Sequence, residues 1–378
     1  MSNQSSENPS AARERVIVRT SIIGILTNVV LAGFKAAVGL IANSIAVVLD
    51  AVNNLSDALS SVITIVGTKL AGKAPNKKHP YGYGRIEYMS QLIVAGIVLY
   101  AGITALVESI KKIIEPETAD YSAVTLIVIS AAIVVKLFLG LYVKKTGKRV
   151  NSGALVASGS DALFDAILSA SVLLSAIIFL TTGVSLEAYV GVIIAGFIIK
   201  AGIEMISEAV SELLGARVSS EISTTIKRSI AEIEGVHGVY DLLLNNYGPD
   251  QLVGSVHVEV DDIMTVSQLD TLTRQIQGKI YKETGVVITT VGVYATNTSD
   301  DRVLAVKTAV TKIVMEHEKI LQMHGFYMDT TRKTISFDII PDFSTPDRHA
   351  LRDEILCEIQ KSYPDYIINI NLDSDFSD

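Results

Sequence analysis

Cysteine is almost absent from this chain, which has one, Cys357, among 378 residues. A single thiol excludes an intramolecular disulfide and a cluster of thiolate metal ligands. Histidine is also scarce, with six residues, none of which falls in a long apolar segment. The sequence has no GxxxxGK[ST] phosphate-binding loop, so it gives no indication of an ATP-driven pump. It also offers no pairing of a nucleophile with a base in its polar part, which argues against an enzyme.

Apolar residues are abundant instead. They make up 49% of the chain, and its mean hydropathy is +0.41, which is too apolar for an ordinary soluble domain of this length. We predict six membrane spans, at about 16–41, 44–70, 88–112, 121–143, 154–181 and 184–207. The long apolar runs within them approach the roughly 20 residues that cross a bilayer. The fold class expected for residues 13–212 is an all-α six-helix transmembrane bundle.

Positive charge is unevenly distributed among the connections between these spans. The connections after the first, third and fifth spans contain no lysine or arginine, whereas "KLAGKAPNKKHPYGYGR" and "KKTGKR" follow the second and fourth. Cytoplasmic loops of membrane proteins carry the excess of lysine and arginine. The pattern therefore predicts a multi-pass protein of the cell membrane with both termini in the cytoplasm, after a disordered tail at residues 1–12.

The C-terminal part is polar and contains an internal repeat. A helix, two strands around a Gly-Pro turn, a second helix and a strand are predicted within residues 213–297, and the same αββαβ order returns within 298–378. Two small α+β modules in series are the simplest interpretation. The net charge of −8 arises largely in this region and indicates little beyond solubility.

Two of the predicted spans carry acidic residues on one helical face. The second has oxygen-bearing side chains at spacings of three, four and seven, namely Asp50, Asn53, Asn54 and Asp57. The fifth has a similar stripe of Ser158, Asp161, Asp165 and Ser169. Carboxylates within a bilayer are costly unless they are paired, coordinated or facing water, so these need a cation.

Two alternatives to a metal ion stay open at this point. The carboxylates could pair with basic residues, but the candidates Lys35, Lys136 and Lys200 lie toward the predicted span ends, which disfavours this explanation. They could also bind only protons or sodium. Both are less favoured than a divalent metal.

Residues 16–297 resemble the cation diffusion facilitator family, which comprises dimeric, proton-coupled exporters of divalent metals. The resemblance is carried by "NSIAVVLDAVNNLSD", "KKHPYGYGRIEY", "ALVASGSDALFD" and the αββαβ order. It implies a homodimer with ferredoxin-like cytoplasmic modules, the first of which mediates dimerisation. It also implies one transport site formed by Asn53, Asp57, Asp161 and Asp165.

The types of these ligands are similar to the manganese branch of the family, since zinc members place a histidine in such a quartet. One amide and three carboxylates suit a hard cation, whereas imidazole and thiolate suit zinc. Asp50, one turn before Asn53, is a candidate accessory ligand or proton site. Three gathered aspartates that release a metal can take up protons, which suits exchange.

Two weaker metal sites are considered from the same resemblance. In the loop after the second span the matching positions are Asn76, His79 and Tyr83, of which only His79 is a good ligand. In the first module only His257 is retained. His257 and Glu259 share a face of a predicted strand, and a solvated sheet face is the favoured interpretation there.

The sequence thus predicts an exporter of Mn²⁺ in exchange for protons, by alternating access in a homodimer embedded in lipid. No tightly bound cofactor and no nucleic-acid partner are expected. One alternative is an exporter of Fe²⁺, Co²⁺ or Zn²⁺ from the same family. Another is a membrane metal sensor or scaffold that does not transport.

Overall fold

A computed structural model describes residues 9–41, 45–115, 123–182, 187–249, 251–297 and 300–374. Its first six helices are α1 (Pro9–Ile41), α2 (Ile45–Ala71), α3 (Ile86–Ile114), α4 (Ala123–Arg149), α5 (Gly153–Thr182) and α6 (Glu187–Leu214). The first module contains α7 (Ser220–Ala231), β1 (Gly238–Asn246), β2 (Leu252–Asp261), α8 (Val266–Thr284) and β3 (Val287–Thr296). The second contains α9 (Asp301–Met315), β4 (Ile320–Asp329), β5 (Thr334–Pro341), α10 (Arg348–Ser362) and β6 (Ile367–Leu372).

The N-terminal part consists of long apolar helices. Among the described residues, five stretches are long and apolar enough to cross a membrane: Ala11–Val38, Ile86–Ile114, Leu126–Arg149, Gly153–Ser175 and Ala188–Leu214. Helix α2 has 27 residues but is not one of the five. Helix α1 begins at Pro9, so residues 9–12, which were predicted to belong to a disordered tail, are helical. The predicted class, a helical membrane domain followed by α+β modules, is confirmed.

Glycine allows close approach of α4 and α5, the pair of helices on which several candidate residues lie. A methyl group added at Gly159 of α5 would lie 2.5 Å from the backbone nitrogen of Lys144, and one at Gly147 of α4 would lie 2.8 Å from the nitrogen of Val156. Small residues are the usual means by which membrane helices pack backbone to backbone. The register between α4 and α5 therefore depends on these glycines.

We expect Gly159→Ala to force α4 and α5 apart and to lower the stability of the protein by about 1–3 kcal/mol, the usual cost of overpacking. Gly196→Ala in α6 is the matched control, because no described atom lies within 4 Å of a methyl group added there. Thermal unfolding in detergent should give a lower Tm for Gly159→Ala than for Gly196→Ala. Equal Tm values would contradict the close packing of α4 on α5.

The two C-terminal modules have the same topology. In each, the first two strands pair antiparallel and the second and third pair parallel, in the order β1-β2-β3 and β4-β5-β6. Helix α8 buries Leu272, Ile276 and Ile280 at a spacing of four on the first sheet. Phe337 of β5 is buried in the second core. The predicted repeat of αββαβ order is present in the structure.

Local signals set the ends of α8, which spans the first sheet. Thr265 and Gln268 form a reciprocal capping box at its start, and Gly285 ends it in a left-handed conformation with φ of 75°. Apart from residues 247–250, both modules belong to one compact unit, Arg217–Asn246 with Gln251–Asp378.

Candidate metal transport site

A buried ammonium group joins carboxylates from two helices. Lys136 of α4 donates from Nζ to Oδ2 of Asp57 on α2, and also to Oδ2 of Asp165 on α5, at 2.6 Å in the latter case. The Lys136 side chain is 5% exposed, that of Asp57 16% and that of Asp165 34%. Asp57 and Asp165 are therefore close enough to share one cation.

The position of Lys136 corrects one inference from the sequence. Lys136 was placed toward a span end, and pairing of the carboxylates with basic residues was disfavoured for that reason. Helix α4 extends to Arg149, so Lys136 lies near its middle and is buried against both aspartates. The charge of Asp57 and Asp165 is partly balanced by a residue of the protein itself.

Of the other proposed ligands, the structure describes the side chain of Asp161 but only the backbone of Asp50 and Asn53. Asp161 is 6% exposed and lies one turn before Asp165 on α5, so both carboxylates are on one face of that helix. The backbone of Asp50 and Asn53 belongs to α2. The side chains of Asp50 and Asn53 lie outside the described part of the structure.

A small cavity lined by both polar and apolar residues adjoins Asp57 on the side toward the C-terminal end of α2. Its polar lining residues come from α1, α2 and α5 and are Thr20, Ser21, Asn28, Asp57, Ser61 and Ser158. Within the described residues, Ser21 Oγ and Asn28 Oδ1 have no hydrogen-bond partner. Buried polar atoms of this kind are usually satisfied, so the cavity suits water or an ion.

Two families of sequences match nearly all of the chain up to residue 293. The pattern described as "Cation efflux transmembrane domain" matches residues 21–214, and "Cation efflux protein, cytoplasmic domain" matches residues 218–293. The chain belongs to the cation efflux family. It is a multi-pass membrane transporter of cations and not an enzyme, which confirms the resemblance and those parts of the prediction.

Several curated members of the cation efflux family are similar over most of their length. The manganese efflux system protein MneP of Bacillus subtilis is 27% identical over 282 residues, covering 72% of this chain and 94% of MneP. The magnetosome protein MamB of Magnetospira sp. is 26% identical, covering 66% of this chain and 85% of MamB. Metal tolerance protein 2 of rice is 27% identical, covering 69% and 73%.

The loop position predicted as a weak site in this cation efflux protein is occupied by a turn. Asn76 accepts hydrogen bonds through Oδ1 from the backbone nitrogens of Lys78 and His79, and it donates to the Tyr83 hydroxyl at 2.7 Å. The ring centroids of His79 and Tyr83 are 4.5 Å apart. These contacts explain the three residues as turn-forming, and His79 is exposed.

His257, the other weak candidate, does not combine with the acidic residues near it in sequence. Glu259 instead contacts Lys307 of α9 at 2.7 Å, and His237 lies 2.7 Å from Asp261. The Nδ1 atom of His257 lies 3.0 Å from Oδ2 of Asp241, on the neighbouring strand β1. Hydrogen bonding to Asp241, opposed by burial, raises the pKa of His257. Sequence spacing gave no sign of this partner.

Proposed function

We propose that this cation efflux transporter exports Mn²⁺ from the cytoplasm in exchange for protons. The observation that carries the proposal is that Asp57 and Asp165 both contact the buried ammonium group of Lys136, and that Asp161, one turn from Asp165, is also buried. Together with the amide of Asn53, which the family resemblance assigns to the site, these three carboxylates would form an all-oxygen set that suits a hard divalent ion. MneP and MneS of Bacillus subtilis, which are 27% and 24% identical to this chain, are both named as manganese efflux proteins.

The position of the cavity beside Asp57 supports loading from the cytoplasm. Lysine and arginine flank the C-terminal end of α2 and the N-terminal end of α5, which the positive-inside rule assigns to the cytoplasm. Ser61 and Ser158 lie toward those ends from Asp57 and Asp161, and both line the cavity. An ion that sheds its water and enters there would reach Asp57 first. This assignment puts both termini in the cytoplasm of a protein in the cell membrane.

In the metal-free carrier, the ammonium group of Lys136 takes the place of the metal ion beside Asp57 and Asp165. Its ammonium group cannot share a position with a metal ion, so metal binding requires Lys136 to withdraw from Asp57 and Asp165. When the ion leaves, Lys136 or protons neutralise the carboxylates and lower the cost of returning through the bilayer. Alternating access in a homodimer would then use the cytoplasmic modules as the dimer contact.

The test is uptake of metal into proteoliposomes under an imposed pH gradient, with Mn²⁺, Zn²⁺, Fe²⁺ and Co²⁺ supplied separately and in competition. We expect Mn²⁺ flux to exceed Zn²⁺ flux and to collapse when the gradient is abolished by an ionophore. Preferred Zn²⁺ flux would overturn the argument from ligand hardness. Binding without flux of any metal would favour a sensor or scaffold.

A further inference from the structure

Three potential metal ligands from different modules meet within the C-terminal unit. They are Asp241 of β1, His324 of β4 and Asp373, which directly follows β6. One ligand atom from each residue lies within 4.8 Å of the other two. The cluster therefore spans the contact between the first and second modules, where β3 adjoins β4.

His324 is the central member of this cluster, and its side chain is 0% exposed. Its Nε2 atom lies 2.9 Å from Oδ1 of Asp241 and 3.7 Å from Oδ2 of Asp373. Neither ring nitrogen of His324, nor Asp241 Oδ1, makes a hydrogen bond of acceptable geometry within the described residues. An unsatisfied buried polar group costs about 1–3 kcal/mol, so these atoms need a further partner.

The backbone is shaped to direct both residues into the cluster. The pairing of β1 with β2 is interrupted between Tyr240 and Leu243, and Asp241 there has φ of 51°. The pairing of β4 with β5 is interrupted between His324 and Tyr327, and Gly325 there has φ of 63°. Bulges redirect side chains, and positive φ at a residue other than glycine is strained. The strand pairing is therefore interrupted at equivalent positions of the two modules.

Surrounding groups fix the orientation of Asp241. Its Oδ2 accepts a hydrogen bond from the Tyr294 hydroxyl at 2.7 Å and lies 3.0 Å from His257 Nδ1, which leaves Oδ1 facing His324. Asp338 accepts a hydrogen bond from Asn371 at 2.7 Å through Oδ1, and its Oδ2 lies 3.0 Å from the Tyr294 hydroxyl oxygen. Metal ligands are typically held by outer partners of this kind.

We propose that Asp241, His324 and Asp373 bind one divalent transition-metal ion between the two modules and so hold them together. Atoms that each lie about 2.1 Å from one ion are at most about 4.2 Å apart. Both carboxylates lie within this distance of His324 Nε2, and the ligand atoms of the two carboxylates lie within 4.8 Å of each other. One imidazole with two carboxylates suits Mn²⁺, Fe²⁺ or Zn²⁺ better than Mg²⁺ or Ca²⁺. The site is independent of which ion the membrane helices carry.

The experiment measures metal binding to the full-length chain in detergent, with Asp161→Asn present throughout to disable the transport site. Equilibrium dialysis against Mn²⁺ alone and against Zn²⁺ alone should find one tightly bound ion per chain. Adding Asp373→Asn, which preserves shape, or His324→Gln should weaken that binding by more than the about 10- to 100-fold that loss of an outer partner costs.

Two control variants separate loss of a ligand from damage to the modules. His317→Gln removes a histidine of the second module that lies 3.3 Å from a single carboxylate, Glu358. Lys307→Gln removes the contact with Glu259 between the modules and leaves the cluster intact. Both should retain the ion, which should also slow amide hydrogen exchange in β1 and β4.

Several outcomes would overturn this site. No ion bound to the Asp161→Asn chain would identify the cluster as a buried pairing of His324 with carboxylates. Unchanged affinity for the ion in Asp373→Asn would show that Asp373 is not a ligand. Because binding is measured in a chain that cannot transport, failure of Mn²⁺ export in the native protein would leave this result standing.

Discussion

Asp161→Asn is expected to reduce Mn²⁺ flux into proteoliposomes by about 100-fold or more. Asp161 is buried in α5, and its negative charge offsets the loss of water around an ion that enters the site. Removing one partner of a buried charge interaction typically costs about 3–5 kcal/mol, and each 1.4 kcal/mol is a factor of ten. Asparagine keeps the size of the side chain, so the change acts on charge.

Ser160→Ala is the matched control for this experiment. Ser160 is the adjacent buried residue of α5, and its hydroxyl donates to the Val156 carbonyl of the same helix. Its removal should leave flux within about twofold of the native value, because the lost hydrogen bond lies within α5 and contributes about 0.5–1.5 kcal/mol to stability rather than to ion binding. Equal loss of flux in both variants would mean that α5 tolerates no change there, and normal flux in Asp161→Asn would exclude Asp161 from the site.

Lys136→Met is expected to destabilise the metal-free protein and to make it bind Mn²⁺ more tightly. Without the ammonium group, Asp57 and Asp165 repel each other, at a cost of about 3 kcal/mol, the lower end for a broken buried pair because Asp165 is partly exposed. The ion no longer competes with Lys136, so half-saturation of binding should occur at a Mn²⁺ concentration at least about tenfold lower. Thermal unfolding with and without Mn²⁺ measures both effects.

Lys200→Met tests whether the effect is specific to the site. Lys200 is on α6, its side chain is 73% exposed, and it lies 3.7 Å from Glu204. Its partner Glu204 is one turn away on the same helix, so removing the charge of Lys200 should hardly change Mn²⁺ affinity. Weaker Mn²⁺ binding in Lys136→Met than in Lys200→Met would contradict competition and would make Lys136 a support of the bound state.

Much of this architecture follows from periodicity and charge. Long apolar runs predict the helices, and the recurring αββαβ order predicts two similar modules. The error over Lys136 came from a span boundary. The predicted fourth span ended at residue 143, whereas α4 continues through the basic segment to Arg149, which moves Lys136 to the middle of the helix. Hydropathy indicates where a chain leaves the apolar part of the membrane, but it does not indicate where the helix ends.

The cluster between the modules was missed for a different reason. Asp241, His324 and Asp373 are far apart in sequence, and no local spacing relates them. Their meeting depends on how one sheet lies against the other, which strand patterns do not encode. Tyr240 and His324 occupy equivalent positions in the two modules, where Tyr240 pairs with His257 and His324 pairs with Asp338. An alignment of the two copies of the repeat would have drawn attention to His324.

Stacking of Tyr240 on His324, with ring centroids 5.0 Å apart, pairs equivalent positions of two linked copies. When identical subunits associate through a twofold axis, every substitution appears on both sides of the contact. In this chain a substitution in one module leaves the other module unchanged. The first module has Asp241 where the second has Gly325. Joining the copies in one chain also makes their association independent of protein abundance in the membrane. Gene duplication would thus permit an asymmetric contact that no pair of identical modules could encode.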